Sequence, residues 1–199
     1  AEQPFMATSC CPSWSVMAKK LFPQFKDYIS MAMTPMVLTA RLYKKDHPDV
    51  RIVFIGPCTA KKLEASRRTI RSDVTSSSPL RRCRASSTPR GSSPPRCRWT
   101  PRRSSARVPL WPRLCRHRRR CQRGEGAIKE IDPDREVKIE HADGLRECRK
   151  MLMMAKAGKY NGYLLEGMGC PGGCVAGAGT ITPVKKSTAA VNKYTNEAL

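Results

Sequence analysis

The chain has few aromatic residues, 6% of 199, and no apolar run near the roughly 20 residues that a membrane-spanning helix requires. It also lacks an opening signal peptide, which would join a basic start to a short apolar stretch. We therefore expect a soluble, cytoplasmic protein without a membrane partner. The first residue is Ala1 rather than Met, which indicates a fragment of a longer protein.

Lysine is absent, and acidic residues are nearly absent, from residues 67–123. This stretch contains 18 Arg and one acid, Asp73, so it carries +17 of the formal net charge of +22. It also holds ten Ser and seven Pro without helical or strand periodicity, a composition that predicts disorder. The basic charge that would otherwise suggest a nucleic-acid binder is thus confined to one segment.

Two interpretations of this segment are open. One is a solvated linker that binds RNA, although only Trp99 and Trp111 offer aromatic stacking. The other, which we favour, is a translation artefact, because Arg, Ser and Pro without Lys is typical of GC-rich DNA read in a wrong frame. The codons behind 74–82 permit a hidden strand in one shifted frame, and those behind 110–121 permit a glycine-rich loop in the other. We therefore expect no nucleic-acid partner and assign no role to the four cysteines of the segment, which are Cys83, Cys97, Cys115 and Cys121.

The N-terminal flank has the pattern of an α/β protein. Apolar residues from Trp14 to Phe25 recur at helical spacing and predict one amphipathic helix. Thr34 before Pro35 predicts the start of a second helix that ends near residue 45. Residues 51–56 (RIVFIG) predict a short buried strand, and ligands bind beyond the carboxyl ends of such strands in doubly wound sheets.

The C-terminal flank repeats this pattern. Residues 137–142 predict a strand, Asp143 an N-cap, 144–157 a helix that Gly158 ends, and 163–166 another strand. The predicted inward-facing residues of the helix are Leu145, Cys148, Leu152 and Ala155. Alternating strands and helices predict an α/β fold with largely parallel sheets.

Six cysteines lie outside the basic segment: Cys10, Cys11, Cys58, Cys148, Cys170 and Cys174. Cys148 falls within the predicted helix and is most simply a buried small hydrophobic residue. The other five occur beside Pro or Gly at strand ends or before a helix, where thiolates can converge on a metal. Their spacing alone leaves disulfides, structural zinc and an iron–sulfur cluster open, although zinc sites usually combine two close cysteine pairs.

Three motifs resemble the active-site signatures of the iron-only (FeFe, di-iron) hydrogenases, in the order that this family has. They are TSCCPSW at 8–14, GPCTAKKLE at 56–64 and EGMGCPGGCVAGAG at 166–179. The resemblance covers about 5–71 and 126–182. It implies parallel-sheet lobes flanked by helices, with an iron–sulfur and di-iron cofactor between them. The central region is not matched, and its composition predicts that it is disordered or frameshifted.

We accordingly divide the chain into four parts. Residues 1–66 form the first part of the cofactor domain, 67–125 the anomalous segment, 126–182 the second part of the domain, and 183–199 a C-terminal tail.

The resemblance also implies the metal ligands. Cys11, Cys58, Cys170 and Cys174 match the ligands of a 4Fe-4S cluster that is bridged to a di-iron subcluster, together the H-cluster. The match makes Cys174 the bridging ligand.

Other positions match residues that surround the cofactor. Cys10 matches the proton relay and Ser30 a proton-path serine. Lys61 matches the lysine that contacts a cyanide ligand, and Met168 matches the methionine over the di-iron subcluster. Glu64 completes the second motif, as does Pro57. Considered alone, Lys61 would be read as part of an exposed helix face, Met168 as core filling and Ser30 as a loop residue.

The implied activity is the reversible oxidation of H2 to protons and electrons, which in the other direction is proton reduction. The implied partners are a ferredoxin-like carrier, which exchanges the electrons, and the maturation proteins. We expect this chain alone to be poorly active. Ala178 and Thr34 depart from the residues that many members have. Two alternatives are a sensory or non-catalytic hydrogenase-like iron–sulfur protein and, from another class, an Arg-rich nucleic-acid-binding protein.

Overall fold

The computed structural model describes residues 3–87, 125–126, 128–134 and 136–197. In chain order the strands are β1 (Phe5–Ala7), β2 (Val53–Gly56), β3 (Ser76–Pro79), β4 (Lys138–Asp143) and β5 (Tyr163–Met168). The helices are α1 (Pro12–Leu21), α2 (Pro35–Asp46), α3 (Ala60–Ala65), α4 (Leu80–Ser87), α5 (Leu145–Lys156) and α6 (Val184–Glu197). Short 3-10 turns occupy Pro23–Tyr28 and Cys174–Ala176.

The strands form two parallel sheets. One has the order β1-β5-β4, and its register pairs Ala7 with Leu165 and Asp143 with Met168. The other pairs β2 with β3. These sheets and their flanking helices confirm the predicted α/β fold with parallel sheets. In the part of the chain that the structure describes, no helix combines the length and the apolar character needed to cross a membrane.

Each sheet has its own apolar core. The larger core lies between the three-stranded sheet, α1 and α5, and it includes Trp14, Leu165 and Cys148, all fully buried. The smaller core lies between α2 and the two-stranded sheet, around Val37 and Val74. Contacts between α1 and α3 link the two parts.

The two helices predicted on the N-terminal side are both present, with differences at their ends. The second helix begins after Thr34 as predicted, but the Thr34 side chain makes no capping hydrogen bond. The first helix is shorter than predicted, since it ends at Leu21 and Pro23 starts a 3-10 turn that carries Phe25. Proline cannot donate the backbone bond that would continue the helix.

The short buried strand predicted at 51–56 forms as β2 over Val53–Gly56, but it is buried on one face only. Val53 and Ile55 of β2 are 52% and 54% exposed, whereas Phe54 packs against the smaller core. Successive side chains of a strand point to opposite faces, so only one face of β2 is covered.

On the C-terminal side, the helix N-cap is Gly144 and not Asp143, because β4 continues through Asp143 in its pairing with β5. Gly144 has φ = 82°, a conformation that L-residues other than glycine rarely adopt. Leu145 was predicted to face inward, but its side chain is 42% exposed. It is the first residue of α5, and the buried residues of this helix begin one turn later. They are Cys148, Met151, Leu152 and Ala155. Gly158 follows the helix with φ = 82°, which confirms the predicted stop.

The basic segment lies partly within the described residues. From its composition we expected no regular structure after residue 67, yet β3 pairs with β2 from Ser76 to Pro79 and α4 follows directly. The hydrogen bonds of a parallel pair involve only backbone atoms, so serines can form them. Residues 88–124, including Trp99, Trp111 and Cys97, lie outside the described part.

Candidate functional site

The cysteine motifs follow the carboxyl ends of three parallel strands. Cys10 and Cys11 come after β1, Cys58 after β2, and Cys170 and Cys174 after β5. Because β1 and β5 are adjacent parallel strands, their carboxyl ends emerge at the same sheet edge. The sheet topology therefore brings the first and third motifs to one edge.

A direct contact joins the first motif to the third. The Gly169 N–H donates a hydrogen bond to Cys11 Sγ at 3.3 Å. A Cβ on Gly169 would lie 2.7 Å from Ser13 Cβ, so glycine permits this approach. Cys11 also immediately precedes α1 as its N-cap residue.

A second contact joins the third motif to the second. The Gly179 N–H donates to the Pro57 carbonyl at 2.8 Å, beside Cys58. A Cβ on Gly177 would lie 2.5 Å from the same carbonyl oxygen. The glycine-rich loop thus approaches the Cys58 loop more closely than a side chain would allow.

Cys170 belongs electrostatically with two cysteines of the other motifs. Burial raises the pKa of the Cys170 thiol, and the neighbouring Cys58 and Cys11 raise it further. The fourth cysteine, Cys174, begins the 3-10 turn directly after Gly172 and Gly173, both of which have positive φ.

Exposure separates these cysteines from Cys148. The four predicted ligands and Cys10 are partly exposed thiols, and none of the described cysteines forms a disulfide. Cys148 is fully buried, donates from Sγ to the carbonyls of Ala142 and Met168, and has its pKa raised to about 12 by burial. It is a structural residue of the larger core.

The donor set fits an iron–sulfur cluster, because the four predicted ligands are all cysteines with partly exposed thiols and such clusters are held by thiolates. Within the described ranges, no group of three or more His, Cys, Asp or Glu side chains is arranged to hold a single metal ion.

Lys61 and Glu64 form a buried ion pair on α3, which follows Cys58. Lys61 Nζ lies 2.5 Å from Glu64 Oε2, and the two residues are only 8% and 3% exposed. Lys62, the next residue, is exposed. Lys61 therefore belongs to the interior of this region and not to the solvated face of the helix.

Ser30 lies beside the first motif. Its N–H donates to the Ala7 carbonyl at 2.8 Å, and the Ser9 hydroxyl donates to the Ala32 carbonyl at 2.9 Å. These bonds hold 30–32 along the segment that leads from β1 to Cys10. Ser30 Oγ accepts a hydrogen bond from the Ala32 N–H.

Met168 is buried as the last residue of β5 and directly precedes Gly169 and Cys170. Its carbonyl accepts a hydrogen bond from the Gly144 N–H at 2.8 Å. The backbone at the start of the third motif is thereby fixed to the end of β4.

Sequence reasoning missed three residues at this site. Glu166 is 1% exposed in β5, and an acid inside an apolar strand was the available signal. Arg81 and Thr180 bond to the glycine-rich loop. Arg81 carried no signal because it lies within the basic segment, and Thr180 directly follows the third motif.

Together these features define an α/β domain with partly exposed thiols gathered at the carboxyl ends of its parallel strands. The family model described as the iron only hydrogenase large subunit, C-terminal domain, matches residues 1–77 and 114–178. The match covers more than half of the chain, which therefore belongs to this family. The gap in the match, 78–113, falls inside the basic segment.

Curated relatives match shorter stretches. Iron hydrogenase 1 of Clostridium pasteurianum is 33% identical over 76 residues, which are 34% of this chain and 13% of that protein. The cytosolic Fe-S cluster assembly factor of Phaeosphaeria nodorum is 39% identical over 84 residues, which are 38% of this chain and 12% of that protein.

Solved structures match nearly the whole chain. A structure that reveals stepwise H-cluster assembly in an FeFe-hydrogenase matches with TM-score 0.56 and 21% identity, over 97% of this chain and 65% of that one. An FeFe-hydrogenase of Chlamydomonas reinhardtii matches with TM-score 0.56 and 19% identity over the same shares. The likeness shows the hydrogenase fold, and the chain spans less than two thirds of these structures.

Proposed function

We propose that this chain is the cofactor-bearing part of an iron-only hydrogenase catalytic domain, whose intact form interconverts H2 with protons and electrons. The observation that carries the proposal is the set of contacts joining the three cysteine motifs. The Gly169 N–H bonds to Cys11 Sγ, and the Gly179 N–H bonds to the Pro57 carbonyl beside Cys58. The neighbouring Cys58 and Cys11 also raise the pKa of the Cys170 thiol, after burial.

In this proposal Cys11, Cys58, Cys170 and Cys174 would hold the 4Fe-4S cluster, and Cys174 would be the residue nearest to the di-iron subcluster. When bound, this H-cluster supplies redox-active iron for heterolytic cleavage or formation of H2. The protein holds the cofactor, excludes water and moves protons to and from it.

Two groups would handle protons on the side of the first motif. The Cys10 thiol holds and releases a proton at Sγ, which requires that it bind no metal. Ser30 is the next hydroxyl group, on the segment that runs beside residues 7–9.

Lys61 and Met168 would contact the cofactor. The Lys61 ammonium is a buried donor suited to an anionic cyanide, and Glu64 orients it through their ion pair. Met168 contributes a buried, apolar thioether that excludes water.

The partners in this function are H2, protons, a ferredoxin-like electron carrier and the maturation proteins that supply the di-iron subcluster. We place the protein in the cytoplasm. Because the chain spans 65% of the solved structures that it matches, we expect little hydrogen evolution from the chain alone.

A second candidate function is a hydrogenase-like iron–sulfur protein without H2 turnover. The 39% identity to a cytosolic Fe-S cluster assembly factor favours it. In that case the same four cysteines hold a 4Fe-4S cluster and no di-iron subcluster is bound.

Infrared spectroscopy of the chain co-produced with hydrogenase maturation proteins separates the two functions. The catalytic proposal predicts bands of iron-bound cyanide, lost in Cys174→Ala and shifted in Lys61→Met. A chain that holds a 4Fe-4S cluster but shows no cyanide bands would overturn the catalytic proposal and support the second function. The Cys148→Ala variant is the matched control, because its cysteine is a fully buried core residue that is not a predicted ligand, so its loss should leave the bands in place.

A further inference from the structure

The turn that begins at Cys174 is closed by Thr180, which lies just outside the third motif. The Thr180 hydroxyl donates to the Val175 carbonyl at 3.0 Å. The Thr180 N–H donates to the Gly177 carbonyl, also at 3.0 Å. Both bonds fold the end of the loop back onto the residues next to Cys174.

Arg81 attaches this turn to the two-stranded sheet. Its Nε–H donates to the Thr180 carbonyl at 3.0 Å, and its backbone N–H donates to the Gly179 carbonyl at 3.3 Å. Arg81 is the second residue of α4, which follows β3 without a break. The arginine therefore connects the Cys174 turn to the element that pairs with β2.

Close packing leaves the loop little freedom at this point. A Cβ on Gly179 would lie 2.8 Å from Pro79 Cβ and 3.0 Å from the Pro57 carbonyl oxygen. Gly179 is thus enclosed between the ends of β2 and β3. A shift of Arg81 or Thr180 would be transmitted through Gly179 to both the Cys174 turn and the Cys58 loop.

We propose that Arg81 and Thr180 are positioning residues that fix the Cys174 thiol relative to Cys58. They act through the backbone carbonyls of Val175, Gly179 and Thr180. The inference rests on the proposed function only in its last step, in which the fixed thiol ligates a 4Fe-4S cluster. Arg81 lies in the basic segment, for which composition predicted disorder. The proposal therefore gives a residue of that segment a role in the site.

Two pairs of variants test the proposal. Thr180→Val keeps the side-chain shape and removes the hydroxyl donor, whereas Thr180→Ser retains the hydroxyl. Arg81→Ala removes the guanidinium donor, whereas Arg82→Ala removes an exposed arginine of equal charge from the next position. Each pair contrasts a lost contact with a matched change that leaves the contact in place.

The first readout is the rate at which each cysteine is alkylated in the reduced, cluster-free chain, followed by mass spectrometry. Loss of one hydrogen bond should raise the Cys174 rate roughly fivefold in Thr180→Val and in Arg81→Ala. Thr180→Ser and Arg82→Ala should react like the parent chain. Fully buried Cys148 reports folding, since it should stay protected in every folded variant.

The second readout is the electron paramagnetic resonance spectrum of the reduced cluster after anaerobic reconstitution with ferrous iron and sulfide. The proposal predicts an altered spectrum for Thr180→Val and Arg81→Ala, and the parent spectrum for Thr180→Ser and Arg82→Ala.

Three results would count against one or both proposals. If all four variants match the parent chain in both readouts, Arg81 and Thr180 do not position Cys174. If both Thr180→Val and Arg81→Ala expose Cys148, their role is general stability and the inference is also wrong. If the parent chain assembles no cluster, the proposed function fails, while the alkylation rates still decide whether these residues position Cys174.

Discussion

At the scale of single residues, the same amino acid serves two purposes in this domain. Cys148 lies in the core, where burial raises its thiol pKa to about 12, whereas Cys11 is partly exposed at the start of α1. Sequence reasoning separated them because Cys148 falls within a predicted helix and Cys11 beside a proline. The local pattern was sufficient for this distinction.

The pKa of Cys148 leads to a prediction about pH. The folded chain binds the thiol proton more tightly than the unfolded chain, so this contribution to stability is complete below pH 9 and is lost as the pH rises toward 12. The free energy of unfolding of the reduced, cluster-free chain should fall less between about pH 8 and about pH 10 in Cys148→Ala than in the parent chain. Urea unfolding measures this difference, and equal falls in both proteins would show that Cys148 is not buried as a thiol.

The buried ion pair provides a second test at this scale. Glu64→Ala leaves the Lys61 ammonium buried without its carboxylate and should lower the free energy of unfolding by about 3 kcal/mol. The control is Glu147→Ala, because Glu147 and Lys150 form an exposed pair at the same i, i+3 spacing, worth less than about 1 kcal/mol. Equal losses in the two variants would mean that the Lys61–Glu64 pair is accessible to solvent.

At the scale of elements, the site depends on loops that follow parallel strands. The strands predicted at 137–142 and 163–166 are observed at 138–143 and 163–168, and the predicted second helix and C-terminal helix are observed as α2 and α5. β1 has three residues and β3 consists of Ser and Pro, so neither carries a strand pattern. Their pairing is stabilised by neighbouring strands that are distant in the sequence, which local patterns do not reveal.

The glycine-rich loop provides the prediction for this scale. Gly177→Ala would place a Cβ 2.5 Å from the Pro57 carbonyl oxygen, so the third motif must move away from the second. We expect reduced iron uptake on reconstitution, with the larger core intact. Gly126→Ala is the control because a Cβ there would meet no atom within 4 Å. Normal iron uptake by Gly177→Ala would contradict the proposed contact between the two loops.

At the scale of the whole molecule, the charge distribution divides the chain. The stretch 67–123 carries most of the positive charge, and the family match is interrupted inside it, at 78–113. Its first part nevertheless contributes β3 and Arg81 to the domain. Composition alone could not foresee this, because backbone pairing and one arginine contact leave no trace in a residue count.

The reading frame of this segment is directly testable. We predict that resequencing the source DNA across the codons for 67–128 will reveal at least two single-base insertions or deletions. The corrected frames should encode the hidden strand and the glycine-rich loop. Position 81 would then no longer be Arg, so the role proposed for Arg81 belongs to the unshifted sequence, and in a corrected sequence Thr180→Val alone would test the positioning of Cys174. An unchanged frame would identify the segment as a genuine insertion, and salt-dependent RNA binding would then be the property to measure.

The central claim is that four cysteines from three motifs hold one iron–sulfur cluster. The most direct test is to measure iron and sulfide in the anaerobically reconstituted chain and in single Ala variants of Cys11, Cys58, Cys170, Cys174 and Cys148. The account predicts about four iron atoms in the parent chain and in Cys148→Ala, and marked loss in each of the other four variants. Undiminished iron in those four variants, or one tightly bound zinc in place of iron, would contradict it.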